Sequence, residues 1–273
     1  MNRRRMWTIT RTELRQLRQS PDFWLPMLAL AIIFFVLVPT TLLLTITQLG
    51  SVDTVQKVSA ALDLLPAQAQ SAIRGEGPAD RTSYALAVYL FAPLAVIVPM
   101  TISTAVGANT LVGEREKGTG EFLAHSPASE REIYLGKLVA SLLPGYVTTL
   151  VGFGIYSLAV NLVVGPRVGG WFFPTRDWWI LMLWVVPPFL AITLSVVLRL
   201  SARVKSAAAA QQASGLVTLP LIMISYGQSS GALLGAANSG LFVGALAWIA
   251  AVIGLMRGAR AVTRPRLLGI DNA

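Results

Sequence analysis

The sequence contains no cysteine and a single histidine, His125. Without cysteine there is no disulfide framework, no thiolate metal site and no thiol nucleophile, and the redox compartment is left open. With one histidine there is no HExxH pair and no multi-histidine metal centre; His125 is a surface or interface residue. Charge is also scarce, at 13% of 273 residues, where soluble domains carry about 25%. A nucleotide-gripping loop is missing. Gly113-Glu-Arg-Glu-Lys-Gly118 begins with the right glycine spacing, but Thr119 stands where the phosphate-binding lysine must be, and no strand precedes it. No nucleophile elbow occurs, so no catalytic, cofactor-binding or metal-binding residue is assigned and the chain is expected not to be an enzyme.

What the chain has in excess is apolar residues: 54% of the total, with a mean hydropathy of +0.63. A helix needs about 20 residues to cross a hydrocarbon core. Six apolar runs can be drawn, the first four ample and the last two short and interrupted: Phe23–Ile46, Tyr84–Val112, Leu138–Val164, Trp178–Leu198, Ala207–Tyr226 and Gly240–Met256. The fold class is therefore an all-α, multi-pass protein of a cell (plasma or inner) membrane. The fifth run opens on alanines and glutamines and contains Gly215 and Pro220. A Gly/Ser-rich stretch joins it to the sixth.

The bases give the orientation. Arg3, Arg4, Arg5, Arg11, Arg15 and Arg18 precede the first run. Arg115, Lys117, Arg131 and Lys137 lie between the second and third, Arg199, Arg203 and Lys205 after the fourth, and Arg257, Arg260, Arg264 and Arg266 after the sixth. Lys57, Arg74, Arg81, Arg167 and Arg176 fall on the other side. The positive-inside bias puts both termini in the cytoplasm. A net charge of +9 placed beside apolar spans suits orientation and anionic headgroups, not nucleic acid. Residues 1–22 are expected to form an amphipathic interfacial helix with Trp7, Leu14 and Leu17 toward one face. Ser20-Pro21-Asp22 breaks it, and Ser20 or Asp22 can cap the first span. Residues 23–256 are the six-span domain and 257–273 a cytoplasmic tail. The outside loop 47–83 is long, with Val52, Val55, Val58, Leu62 and Leu65 at helical spacing before Pro66, and Gly75, Gly77 and Pro78 marking the return.

Two features bear on function. The six runs carry no charged residue in their interiors, whereas ion-coupled carriers place ionisable groups at depth. Energy for uphill transport would then come from another chain. The second feature is the charged island 113–137, set between runs free of charge. Each such charge costs about 2.5–3.5 kcal/mol at a bilayer centre, so the island faces water. Gly113–Lys117 continues the second span, Gly118-Thr119-Gly120 permits a turn, and Glu121 stands beside the apolar pair Phe122–Leu123. Ser126-Pro127 restarts structure, and Ser129 with Glu132 fits a capping box.

The pattern Glu114-Arg115-Glu116-x-Gly118-Thr119-x-Glu121-Phe122-Leu123-x-x-Ser126-Pro127-x-Ser129-x-x-Glu132-Ile133-x-x-Gly136-Lys137 resembles the signature hairpin of type 2 ABC exporter permeases, notably the sodium- and drug-efflux-like branch. Thr12-Glu13-Leu14-Arg15-x-Leu17-Arg18 resembles that branch's N-terminal interfacial helix. The resemblance implies that Glu114–Glu121 and Ser126–Glu132 dock into a separate ATPase subunit, which binds ATP and Mg. It also implies two permease chains per complex, as a homo- or heterodimer, and re-entrant outside helices between the last two spans. It further implies a path lined by spans one, two and five. Gly120 departs from the pattern, standing where an apolar residue is common. An uncharged path suits an amphipathic or hydrophobic substrate. Gly107, Gly215, Pro220 and the Gly240/Gly244 pair are small or broken positions suited to close packing, between protomers or within one chain. Two other functions fit the same features less fully: a membrane tether or assembly protein for a soluble partner, and an ion-coupled secondary carrier.

Overall fold

The structure is a computed structural model that describes residues 2–49, 67–116, 118, 120–201 and 239–259, with Val55, Ala209, Gln212, Gly215 and Leu216 as isolated positions. Among the described residues it is all helix and turn, with no strand. Five helical stretches are long and apolar enough to cross a membrane: Trp24–Gln48, Pro78–Thr110, Glu130–Arg167, Arg176–Ser201 and Gly240–Gly258. They match the first four expected runs and the sixth. The expected fifth run, Ala207–Tyr226, lies outside the described residues apart from four isolated positions. The tail beyond Ala259 and most of 50–66, with the expected helix there, lie outside them as well.

Helix α1, Arg3–Gln19, ends where Pro21 begins the first span. Ser20 occupies the capping position, but its hydroxyl donates back to the Gln16 carbonyl at 3.1 Å rather than accepting from the next helix. Side-chain capping by Ser20 is thus replaced by closure of the preceding helix. The second span starts earlier than its apolar run, at Pro78, whose missing N–H costs nothing in a first turn. Gly75, at φ +119, makes the turn just before it. The third helix also starts early, at Glu130.

Three spans widen into a π turn, at Ile33–Leu37, Leu86–Leu90 and Leu181–Val185. Each lies just before a proline: Pro39, Pro93 and Pro187. A proline removes one i→i−4 hydrogen bond and collides with the carbonyl four residues back, and the helix absorbs this by locally lengthening its ring. Phe91 N–H accordingly reaches the Leu86 carbonyl, five residues back, at 3.1 Å. A fourth π turn, Thr45–Leu49, has no proline after it in the span, and we have no physical account of it.

The second and fourth spans are the most enclosed, while the first and last keep broad apolar faces outward. The core gathers Phe35, Met100, Tyr156, Met182 and Leu190. Glycines set two of the close crossings. A Cβ on Gly107 would stand 2.8 Å from Leu194 Cδ2, and Gly244 lies against the Trp184 indole, whose Nε1 donates to the Leu241 carbonyl at 3.0 Å. Both glycines therefore serve packing within the chain, against the fourth span. Of the other small positions, a Cβ on Gly215 would meet nothing within 4 Å, and Pro220 is outside the described residues.

The two ends of the bundle differ. At one, Lys137 Nζ donates to the Thr110 carbonyl (2.9 Å), Ser201 to Ala108 (2.7 Å) and Arg199 Nη2 to Gly254 (2.5 Å). These bonds bring together the exits of the second, fourth and last spans and the entry of the third. At the other end Asn161 ties down the turn after the third span. Its Oδ1 accepts from Phe172 N (3.0 Å) and Phe173 N (3.1 Å), and its Nδ2 donates to the Phe173 carbonyl (2.5 Å). Trp178 Nε1 donates to Val88 (2.8 Å) and Tyr156 to Ala87 (2.6 Å), using the region of the π turn in span two. Arg167 and Asp80 pair at 3.4 Å on the same side.

A braced hairpin as the candidate functional site

The helix of the second span runs unbroken to Glu116, carrying the backbone of Glu114 and Arg115. The side chains of Glu114, Arg115 and Glu116 lie outside the described atoms, as do Lys117 and Thr119. Gly118 turns the chain at φ +69, a left-handed conformation that glycine adopts without steric cost. A short helix, Gly120–Ala124, forms the tip. His125 N–H closes it onto the Glu121 carbonyl at 3.0 Å, and Ser126 Oγ donates to the Leu123 carbonyl at 2.7 Å.

The apolar pair at the tip is split. Leu123 turns inward onto the apolar cluster that includes Ala128, Ile133 and Leu138, while Phe122 is 81% exposed. Glu121, His125 and Pro127 are exposed beside it. A phenylalanine held in water on a five-residue helix loses the benefit of burial, worth about 1.5–3 kcal/mol. Burying it against a partner recovers that benefit.

The base of the hairpin is fixed by polar bonds. Ser129 Oγ accepts from Glu132 N at 3.3 Å and Glu132 Oε2 accepts from Ser129 N at 3.0 Å, the expected capping box. Glu132 Oε1 also accepts from Asn2 N. The buried Glu132 carboxylate is therefore committed to bracing, and any part it has in docking is to hold the hairpin in place.

Asn2 begins a set of contacts that pattern reading missed. Helix α1 lies along the first turns of the third helix. Arg5 Nη1 donates to the Pro127 carbonyl (2.6 Å) and Thr10 Oγ1 to the Gly136 carbonyl (3.0 Å). A Cβ on Gly136 would stand 3.0 Å from Ile9 and from the Met6 carbonyl. Lys137, 1% exposed, forms an ion pair with Glu13. The packed face of α1 is thus Met6, Ile9, Thr10 and Glu13. Leu17, half-buried, falls on the same face, whereas Trp7, 54% exposed, lies beside it with Leu14 half-buried between. The available signal was Gly136-Lys137, a glycine next to a base at the head of an apolar run, together with Glu13, the only acid in α1.

Among the described residues no group of acids and histidine is placed to hold a metal ion. Apolar spans with a charged hairpin braced at its base define a membrane protein of the transport or anchoring class. Residues 7–257 match the model of the ABC-2 family transporter protein, and the chain belongs to that family. It is accordingly a membrane-embedded permease component of an ABC transporter. No curated protein is similar enough to count as a match.

Proposed function

We propose that the chain is the transmembrane half of an exporter of the sodium- and drug-efflux-like branch, driven by a separate ABC ATPase that docks on the hairpin tip. The observation that carries this reading is the tip itself: Phe122 and Glu121 point outward from a base that is bonded on three sides. A coupling element has to pass on movement, so it must be stiff, and it must offer a contact whose strength differs between the two states of the complex. An exposed aromatic with an acid alongside supplies apolar area and a charge that a basic groove can desolvate.

Six spans with both termini in the cytoplasm fit the ends of the described segments. Ser201 lies at the hairpin end, bonded to Ala108. The last span runs from Leu241, beside Trp184, to Gly254, bonded to Arg199, so Ser239 starts it at the opposite end. With the apolar run Ala207–Tyr226 counted from the sequence as a further span, the crossings number six. The outward apolar faces of the first and last spans are available to lipid and to a second permease chain. An amphipathic or hydrophobic substrate suits spans without interior charge.

The test uses Glu121→Gln and Phe122→Ala in the permease purified with its ATPase and reconstituted in vesicles. Both changes should leave expression intact, weaken retention of the ATPase, and lower ATP turnover in the presence of transported compound. Parental retention and turnover in both variants would reduce the hairpin to a solvated connector and overturn this reading.

A further inference from the structure

Helix α1 carries six arginines and one acid. The acid, Glu13, is used by Lys137 on the packed face, and Arg5 by Pro127. At 3.6 residues per turn, Arg4, Arg11, Arg15 and Arg18 fall within about 60° of one another on the helix. All four are exposed, and none forms an ion pair among the described residues. Trp7 and Leu14 run directly alongside, between this stripe and the packed face. Asp22, the next acid in the chain, lies past the break at Ser20, on the first span.

The position of the helix is set by bonds to the head of the third span, at Glu132, Gly136 and Lys137, and by the first span starting at Pro21. The stripe is therefore held at the level where a membrane-spanning helix meets its headgroups. An indole and a leucine beside guanidinium groups match that boundary, since indoles favour the interface and arginines form paired hydrogen bonds with phosphate oxygens.

We propose that Arg4, Arg11, Arg15 and Arg18, with Trp7 and Leu14, form a binding site for anionic phospholipid headgroups on the hairpin side of the membrane. Occupancy of the site is passed to the hairpin through Arg5–Pro127, Thr10–Gly136 and Glu13–Lys137. The occupant is a phosphodiester borne by lipid because the apolar strip beside the arginines suits acyl chains, and a free anion would leave Trp7 in water. Lipid binding at this stripe does not depend on the docking of an ATPase.

The full-length chain is purified alone in a neutral detergent and titrated with phosphatidylglycerol, phosphatidylcholine or soluble glycerol phosphate. Bound lipid is counted by native mass spectrometry and thermal unfolding is followed in parallel. Phosphatidylglycerol should bind in preference to phosphatidylcholine and raise the unfolding temperature, with the preference weakening as salt rises. Glutamine at all four arginine positions should reduce that preference at least tenfold, and lysine at all four should retain most of it. Because these side chains are exposed and the packed face is untouched, the glutamine variant should unfold like the parent in phosphatidylcholine. An unchanged preference in that variant overturns the proposal. So does equal stabilisation by glycerol phosphate, which would mark a soluble-anion site. If the glutamine variant, mixed afterwards with the purified ATPase subunit, loses ATPase binding while its lipid preference is intact, the proposal is overturned too and the stripe belongs to an acidic protein partner.

Discussion

Gly136 is where the docking of α1 can be tested with a defined energy. A Cβ there would meet Ile9 Cβ and Cγ2 and the Met6 carbonyl, each at 3.0 Å. Alanine must displace its neighbours by a few tenths of an ångström, and this is offset by the helix propensity it gains over glycine, about 1 kcal/mol. Valine adds two methyl groups to the same gap and gains less propensity. Overpacking costs about 1–3 kcal/mol, and lifting α1 stretches the 3.0 Å bond from Thr10 to the Gly136 carbonyl, worth about 0.5–1.5 kcal/mol. Gly136→Val should therefore destabilise the α1 contact by about 1.5–4 kcal/mol, while Gly136→Ala stays within about 1 kcal/mol of the parent. Amide hydrogen exchange reads the difference locally: the α1 amides should exchange roughly tenfold to several-hundredfold faster in the valine variant. Gly154, on the same helix with nothing within 4 Å of its Cβ position, is the control, and Gly154→Ala should leave α1 unchanged. Parental exchange of α1 in Gly136→Val would show that this helix does not pack where the structure places it.

Lys137→Met removes one partner of a nearly buried ion pair. Glu13 is 20% exposed, which softens the usual penalty to about 1–3 kcal/mol in thermal unfolding, and adding Glu13→Leu should recover most of it. Asn161→Ala strips two backbone N–H groups of their acceptor and leaves the Phe173 carbonyl to the Ser157 hydroxyl, and a cost of about 2–3 kcal/mol with faster exchange at Phe172 and Phe173 is expected. Topology can be read by labelling, since the chain offers no native thiol. In intact cells Trp171→Cys, at a site 72% exposed, should react with an impermeant reagent, and His125→Cys should resist it; the reverse pattern would invert the proposed orientation.

The sequence showed the spans through uninterrupted apolar runs, and α1 through its arginine-rich amphipathic pattern and the Ser20-Pro21 break. The capping box at Ser129 and Glu132 was legible because both partners lie within one turn. What sequence did not show depends on contacts between distant segments. Glu132 was placed among docking residues, yet its second oxygen turns to Asn2, 130 residues away in sequence. The interfacial reading of Trp7, Leu14 and Leu17 did not show that Met6, Ile9, Thr10 and Glu13 pack on the third helix, because a face suited to lipid and a face suited to a neighbouring helix are both apolar. The inward turn of Leu123 follows the apolar cluster formed by the third and fourth spans, Ile133, Leu138, Leu194 and Leu198 among them, which no local pattern encodes. The three π turns near Pro39, Pro93 and Pro187 had a signal in hindsight, since each proline frees a carbonyl in the turn before it.

The central claim, that the hairpin tip is where an ABC ATPase docks, is tested most directly by a photoreactive phenylalanine analogue placed at position 122 in the assembled complex. Irradiation should join the permease to a single partner that peptide sequencing identifies as an ATP-binding-cassette ATPase, while the same analogue at Trp171 captures none. An intact, ATP-hydrolysing complex that gives no ATPase adduct from position 122 would contradict the account.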